Sequence, residues 1–222
     1  MAARRPPLAR FHTDSWYICP LRGTAGSPRR GSPTGLASVP GGQGGQNVRS
    51  LLVPSQLAGA VWEINLEALW SEGVRGLVLD LDNTLVDWNE THLRPEVRRW
   101  VASAHARGLK LCLASNSVRG TRVREVAGEL GMSVVTRAWK PFPVAFRRAM
   151  RVMGTDPGST CAIGDQVFTD MLGANWLGLK TVLVTPLSRR ESPHTRLIRL
   201  LERPLRARWE RLQAVQGRVR TG

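Results

Sequence analysis

Long apolar runs are missing from this chain of 222 residues. Its most apolar stretches, Thr181 to Thr185 and Leu109 to Ala114, fall far short of the ~20 residues that a membrane-spanning helix requires. Cysteine is scarce too. Cys19, Cys112 and Cys161 form no CxxC pair and have no metal-ligand spacing, which excludes a disulfide framework and predicts a reducing compartment such as the cytoplasm. Acidic side chains are outnumbered 17 to 32, giving a formal charge of +15. The excess is uneven: residues 1–50 carry +6, residues 51–187 only +2 and residues 188–222 carry +7. Basicity confined to the ends makes nucleic acid an unlikely partner for the middle of the chain. Lysine is nearly absent, with three Lys against 29 Arg, so any lysine at a strand end stands out.

The length accommodates one domain with tails. Residues 1–47 hold 18 Gly, Pro and Ser and no apolar period, which predicts a disordered basic extension. An organelle transit peptide and an upstream misassigned start both fit it, and neither touches the chemistry. Residues 48–187 alternate strand and helix signals, and residues 188–222 read as a basic amphipathic tail. Five apolar strands are expected, at Gly76 to Leu81, Leu109 to Ser115, Ser133 to Ala138, Thr160 to Asp165 and Lys180 to Thr185. Helices are expected over Val61 to Gly73, Arg94 to Gly108, Arg119 to Leu130, Pro143 to Gly154 and Thr169 to Trp176. That alternation predicts an α/β fold, a three-layer Rossmann-like parallel sheet.

In such sheets ligands gather beyond the carboxyl ends of the strands. Those ends carry Asp80 and Asp82, then Ser115 and Asn116, then Lys140, then Asp165 and Asp170. On extended backbone Asp80 and Asp82 are expected on one side, where a divalent cation would relieve their repulsion. Mg²⁺ suits a few carboxylates plus water and phosphate oxygens, with Asp165 as a further ligand and Asp170 acting behind it or through water. A carboxylate beside the cation can attack phosphorus, and its neighbour can move the proton. Ser115 and the Asn116 amide suit phosphoryl oxygens, and Lys140 suits their charge.

The segments "DLDNT", "SN", "KP" and "GDQVFTD", in that order and spacing, resemble the haloacid dehalogenase (HAD) superfamily of phosphohydrolases. Between Leu51 and Pro186, "GLVLDLDNTLVDWN", "LCLASNS", "RAWKPFPVAFRRAM" and "IGDQVFTDMLGANWLGLKTVLV" resemble its YqeG branch, the subclass IIIA enzymes that include phosphatidylglycerophosphate phosphatases. The resemblance implies a Mg²⁺-dependent phosphomonoesterase with Asp80 as nucleophile and Asp82 as acid/base. It further implies phosphate contacts from Thr84, Ser115, Asn116 and Lys140. The cation would be held by Asp165, the Asp80 carboxylate and the Asp82 backbone carbonyl.

Only 32 residues separate Asp82 from Ser115 and 24 separate Ser115 from Lys140, so neither gap holds a cap domain. An open site suits a large substrate: a membrane phospholipid, a protein or a nucleic-acid end. The segment Thr195 to Gln213 spaces Leu197, Leu201, Leu205, Trp209 and Leu212 three or four apart among arginines. It can lie on an anionic membrane or pack on the domain, with Pro204 expected to break or kink it. Trp62, Trp70, Trp100 and Trp176 are expected in the core; Trp88 and Trp139 flank the motif loops, with packing the default and substrate contact the alternative. Arg119 divides between an anionic head group and solvent, and His92, His105 and His194 are expected at the surface. Two rivals to the enzyme are a phospho-receiver-like domain with little turnover, which has no need of Asp82, and a ribosome- or RNA-associated protein. Oligomeric state is not legible.

Overall fold

The computed structural model describes residues 51–188, 190 and 193–220. The extension expected over residues 1–47 lies outside the described residues. Six strands form one sheet, β1 (Gln56–Ala58), β2 (Gly76–Leu79), β3 (Lys110–Ser115), β4 (Ser133–Thr136), β5 (Thr160–Gly164) and β6 (Lys180–Val184). Their spatial order is β1-β6-β5-β2-β3-β4 and every pairing is parallel. The sequence reading expects five strands; β1 is the addition. It is three residues long, carries no β-branched side chain and exists because β6 offers a free edge, which no local pattern announces.

Alternation along the central strands builds the two faces. Leu77, Leu79, Leu111, Leu113, Cys161 and Ile163 point to one core, which is closed by α1 (Leu66–Ser71), α2 (Pro95–Ala106) and α3 (Gly120–Glu129). Val78, Cys112, Ala114 and Ala162 point to the other, closed by α4 (Val144–Met153) and α5 (Leu172–Trp176). The smaller residues on the second face let α4 lie close, with Phe146 and Met150 filling the space. Burial pushes the Cys112 and Cys161 thiols up to about 12, so both behave as small apolar groups.

Several boundaries move for identifiable reasons. The helix expected over Val61 to Gly73 is divided, because the Asn65 side chain accepts the Ala68 N–H and starts α1 afresh after a tight turn at Val61–Glu63. Pro95 opens α2 at its first turn, and Gly154 ends α4 in the left-handed conformation, as the punctuation predicts. The helix expected from Thr169 begins as a widened turn at Val167–Met171 before α5. Trp100 is buried and Trp62 and Trp70 pack partly against the core, but Trp176 is 62% exposed, against expectation. Trp88 and Trp139 are exposed too.

The last helix, α6 (Pro193–Arg220), runs through Pro204, so of the expected break or kink the break does not occur. It packs on the domain: Trp209 and Leu205 cover Val167, Met171 and Leu183. No helix among the described residues is long and apolar enough to cross a membrane.

Candidate active site

The chain leaves β2 for β3 and β4 on one side and returns to β5 on the other, so the order reverses between β2 and β5. There a crevice opens at the carboxyl ends. The Asp80 N–H donates to the Ile163 carbonyl at 3.0 Å, which carries β2 pairing one residue past the strand and sets Asp80 beside Asp165. Lys140 reaches both sides of the crevice. Its Nζ donates to Asp80 Oδ1 at 2.5 Å and to Asp170 Oδ1 at 2.7 Å. Carboxylate oxygens of Asp80, Asp165 and Asp170 lie within 4.8 Å of one another.

Holding these groups together requires close packing behind them. A Cβ on Gly164 would sit 2.3 Å from the Asp170 carboxylate, so only glycine leaves that carboxylate room. The Asp170 carboxylate also accepts the Gln166 N–H at 3.1 Å. On the Lys140 side, the Asn116 side chain donates to the Lys140 carbonyl at 2.9 Å and accepts the Lys140 N–H at 2.8 Å, clamping the loop after β4 to the loop after β3. Trp139, immediately before Lys140, has φ of 57°, a left-handed conformation that a bulky side chain seldom adopts.

Burial governs the ionisation of this cluster. It holds the Asp80 carboxyl well above its ordinary value, with Lys140 opposing and Asp170 and Asp165 adding to the rise. Asp165 is pushed up to about 6 by burial, against the Arg199 guanidinium and with the help of Asp170. For Lys140, burial alone lowers the pKa, but Asp170 and Asp80 outweigh it and the ammonium is held above its ordinary range. Lys140 serves Asp80 and Asp170 together, while Asp165 is paired with Arg199, so two buried carboxylates share one lysine beside a third. Hard oxygen donors in that number match Mg²⁺ rather than a thiolate- or imidazole-seeking metal.

The sequence-predicted residues separate into two groups. Asp80, Lys140, Asp165 and Asp170 converge. Asp80, Asp82, Ser115, Asn116 and Lys140 line an open cavity of about 760 Å³ over them. The Asp82 side chain, however, does not share the carboxylate cluster. Arg122 donates to its two oxygens at 2.8 and 2.6 Å and the Asn89 N–H donates at 2.8 Å, so it faces the rim. Thr84 is wholly buried, and its hydroxyl lies 3.5 Å from Asp165 Oδ1, behind the cluster instead of in the cavity where phosphate was expected to meet it. Asp170 was expected behind Asp165; here it belongs to the cluster itself. Arg119 and Trp88 line the cavity, Arg119 donating to Asn89 Oδ1 at 2.9 Å. Among the described residues no cap covers the opening.

Four residues escaped the sequence reading. Arg122, buried at the base of α3, holds Asp82 and the Glu90 carbonyl. Arg199 and Arg206 of α6 bind Asp165, Arg199 at the carboxylate and carbonyl and Arg206 at the carbonyl. Asn83 ties the β2 loop to the segment before α6, its Oδ1 accepting from the Ser188 hydroxyl at 2.9 Å and its Nδ2 donating to the Arg190 carbonyl at 3.1 Å. An arginine beside apolar helix positions reads as solvent-facing, and nothing local marks it otherwise.

Known proteins resemble the chain in the same places. The HAD-hydrolase-like family matches residues 138–194, which include Lys140, Asp165 and Asp170. The probable phosphatase YqeG of Bacillus subtilis (strain 168) is 32% identical over 169 residues, 76% of this chain and 98% of that protein. Phosphatidylglycerophosphate phosphatase 1, chloroplastic/mitochondrial, of Arabidopsis thaliana is 32% identical over 158 residues, 67% of this chain and 45% of that protein. An uncharacterized protein from Listeria monocytogenes serotype 4b superimposes with a TM-score of 0.45 at 16% identity, over 54% of this chain and 85% of that one. With a relative matched over nearly its whole length, the chain belongs to the YqeG family of HAD phosphatases.

Proposed function

We propose that this phosphatase is a Mg²⁺-dependent hydrolase of a lipid phosphomonoester such as phosphatidylglycerophosphate, acting through an aspartyl-phosphate on Asp80. The observation that carries the reading is the convergence of Asp80, Asp165 and Asp170 on one point, with Lys140 bridging two of them. Asp80, Asp165 and Asp170 would hold Mg²⁺, which when bound neutralises charge on the nucleophile and the phosphoryl group. Asp80 Oδ forms a bond to phosphorus as the substrate's P–O bond breaks. Lys140 and the amides after Ser115 bind the phosphoryl oxygens. Asp82, on the cavity wall, protonates the leaving oxygen and then takes a proton from the water that cleaves the acyl phosphate. In that role its carboxylate would have to leave Arg122 and turn inward.

The open cavity supports a large substrate, since among the described residues no cap encloses it. The lipid assignment rests further on the phosphatidylglycerophosphate phosphatase of Arabidopsis thaliana. The test is a screen of phosphatidylglycerophosphate in mixed micelles against phosphosugars, nucleotides and phosphopeptides, with Mg²⁺ and with chelator. Turnover of the lipid is expected to exceed that of the soluble esters and to vanish with chelator. Asp80→Asn is expected to lose all turnover and keep its circular dichroism; undiminished activity in that variant would refute the nucleophile.

A further inference from the structure

We infer that the cavity between α6 and the Thr185–Ser188 segment binds the phosphodiester of an anionic lipid head group while the terminal phosphomonoester of the same molecule reaches Asp80. This rests on the reading of the site as a lipid phosphomonoesterase and adds the second anchoring point. Arg196, Arg199, Arg203 and Arg206 line the cavity, whose volume is about 1010 Å³. Against four guanidinium groups stands, among the described residues, one acid, Glu202, wholly buried, with burial raising its pKa. Only half of that positive charge has a structural use among the described residues. Arg199 and Arg206 are engaged by Asp165, but no hydrogen bond or ion pair ties Arg196 or Arg203 among the described residues.

The cavity is built, not left by a loose tail. Glu202 accepts the Phe168 N–H at 3.0 Å, Trp209 anchors the following turns, and Asn83 fixes the approach to the helix. It also adjoins the catalytic cavity. Thr195 and Ile198 line the catalytic side while Arg196 and Arg199 line the other, so the same two turns of α6 form the rim between them. Arg199 touches Asp165, whose carboxylate lies within 4.8 Å of that of Asp80. The phosphodiester and the terminal phosphomonoester of one lipid would then sit on opposite sides of this rim.

Planar guanidinium groups bind phosphate oxygens in pairs, and a phosphodiester offers two unesterified ones. A free bisphosphate metabolite would satisfy the same arginines. The helix decides for the lipid: Leu197, Leu200 and Leu201 are 63%, 54% and 64% exposed, and Leu200 lies on the cavity wall. Apolar groups at that position serve acyl chains and have no role for a metabolite.

The test is calorimetric titration of the full chain with dihexanoyl phosphatidylglycerol below its micelle concentration, beside inorganic phosphate and sn-glycerol 3-phosphate. R196Q/R203Q is expected to weaken phosphatidylglycerol at least about tenfold, the effect of losing one charge-assisted contact. The ratio of kcat/KM for dihexanoyl phosphatidylglycerophosphate to that for p-nitrophenyl phosphate is expected to fall by a similar factor. Absence of phosphatidylglycerol binding to the wild type, or an undiminished affinity in the variant, overturns the proposal. Equal weakening of inorganic phosphate overturns the lipid assignment in favour of a general anion site. Each single substitution is read the same way should the pair unfold. If the wild type hydrolyses neither ester, the phosphatase substrate reading fails, and the titration still decides the cavity.

Discussion

Lys140 is one of three lysines in the chain, and it is the cation on which the buried acids depend. Replacing it by alanine leaves Asp80 and Asp170 buried without their counter-charge, a change that costs ~3–5 kcal/mol. Lys140 opposes the upward shift of Asp80, so its removal raises that pKa further. A carboxyl whose folded pKa is raised stabilises the fold below its unfolded value and loses that contribution as pH rises through the folded value. The deficit of Lys140→Ala is therefore expected to be larger at about pH 8 than at about pH 5, as denaturant titration at the two pH values would read. Equal deficits would show that packing, not charge, is what the lysine supplies.

Burial pushes Asp165 up to about 6, so a proton would compete there with the proposed cation. Its raised pKa means the metal-free fold is most stable below the ordinary carboxylate value and weakens as pH rises through about 6. A cation that binds only the folded state reverses that loss by mass action. Thermal midpoints measured with Mg²⁺ and with chelator are expected to diverge as pH rises from about 5 to 7.5. A gain from Mg²⁺ that is the same at both ends would exclude Asp165 as a ligand.

At the scale of elements, the site depends on how closely α5 approaches the Lys140 loop. A Cβ on Gly173 would sit 2.1 Å from the Pro141 carbonyl and 2.8 Å from Phe146. Backbone cannot yield there as a flexible side chain would, so Gly173→Ala is expected to shift Pro141, and Lys140 with it. The expected loss is ~1–3 kcal/mol of stability with a fall in turnover larger than the stability loss explains. Assay below the unfolding range separates the two.

What the sequence made legible belongs to this scale as well. Strand ends are readable because an apolar run that stops at a carboxylate must stop at a surface, so Asp80, Ser115, Lys140 and Asp165 could be placed on one edge before any coordinates. Spacing also left no room for a cap domain between Asp82 and Ser115 or between Ser115 and Lys140. It could not show that Asp82 turns to Arg122, because both residue types suit a loop and their pairing spans 40 positions. Nor could it show which face of α6 packs: Trp209 turns inward, and Leu197, Leu200 and Leu201 stay exposed. β1 was invisible for the reason given by its length, and Arg199 because its partner is distant in sequence.

For the molecule as a whole, charge is segregated in the direction that the chemistry needs. The segment 51–187, which holds the carboxylates, is nearly neutral at +2, and the +7 of residues 188–222 begins where the chain passes beside the catalytic cavity. On the proposed function, a site that no cap covers among the described residues would rely on attraction to an anionic interface to retain its substrate. Exposed charges act at a range set by the ionic strength, about 10 Å in 0.1 M salt and about 3 Å in 1 M. Turnover of phosphatidylglycerophosphate in anionic mixed micelles is therefore expected to fall several-fold between low salt and about 0.5 M, mainly through KM. Hydrolysis of the same lipid in micelles of neutral detergent is expected to respond less, because the interface then has little charge to screen. If both fall in parallel, salt is acting inside the catalytic cavity and the arginines of α6 do not steer the enzyme to its surface.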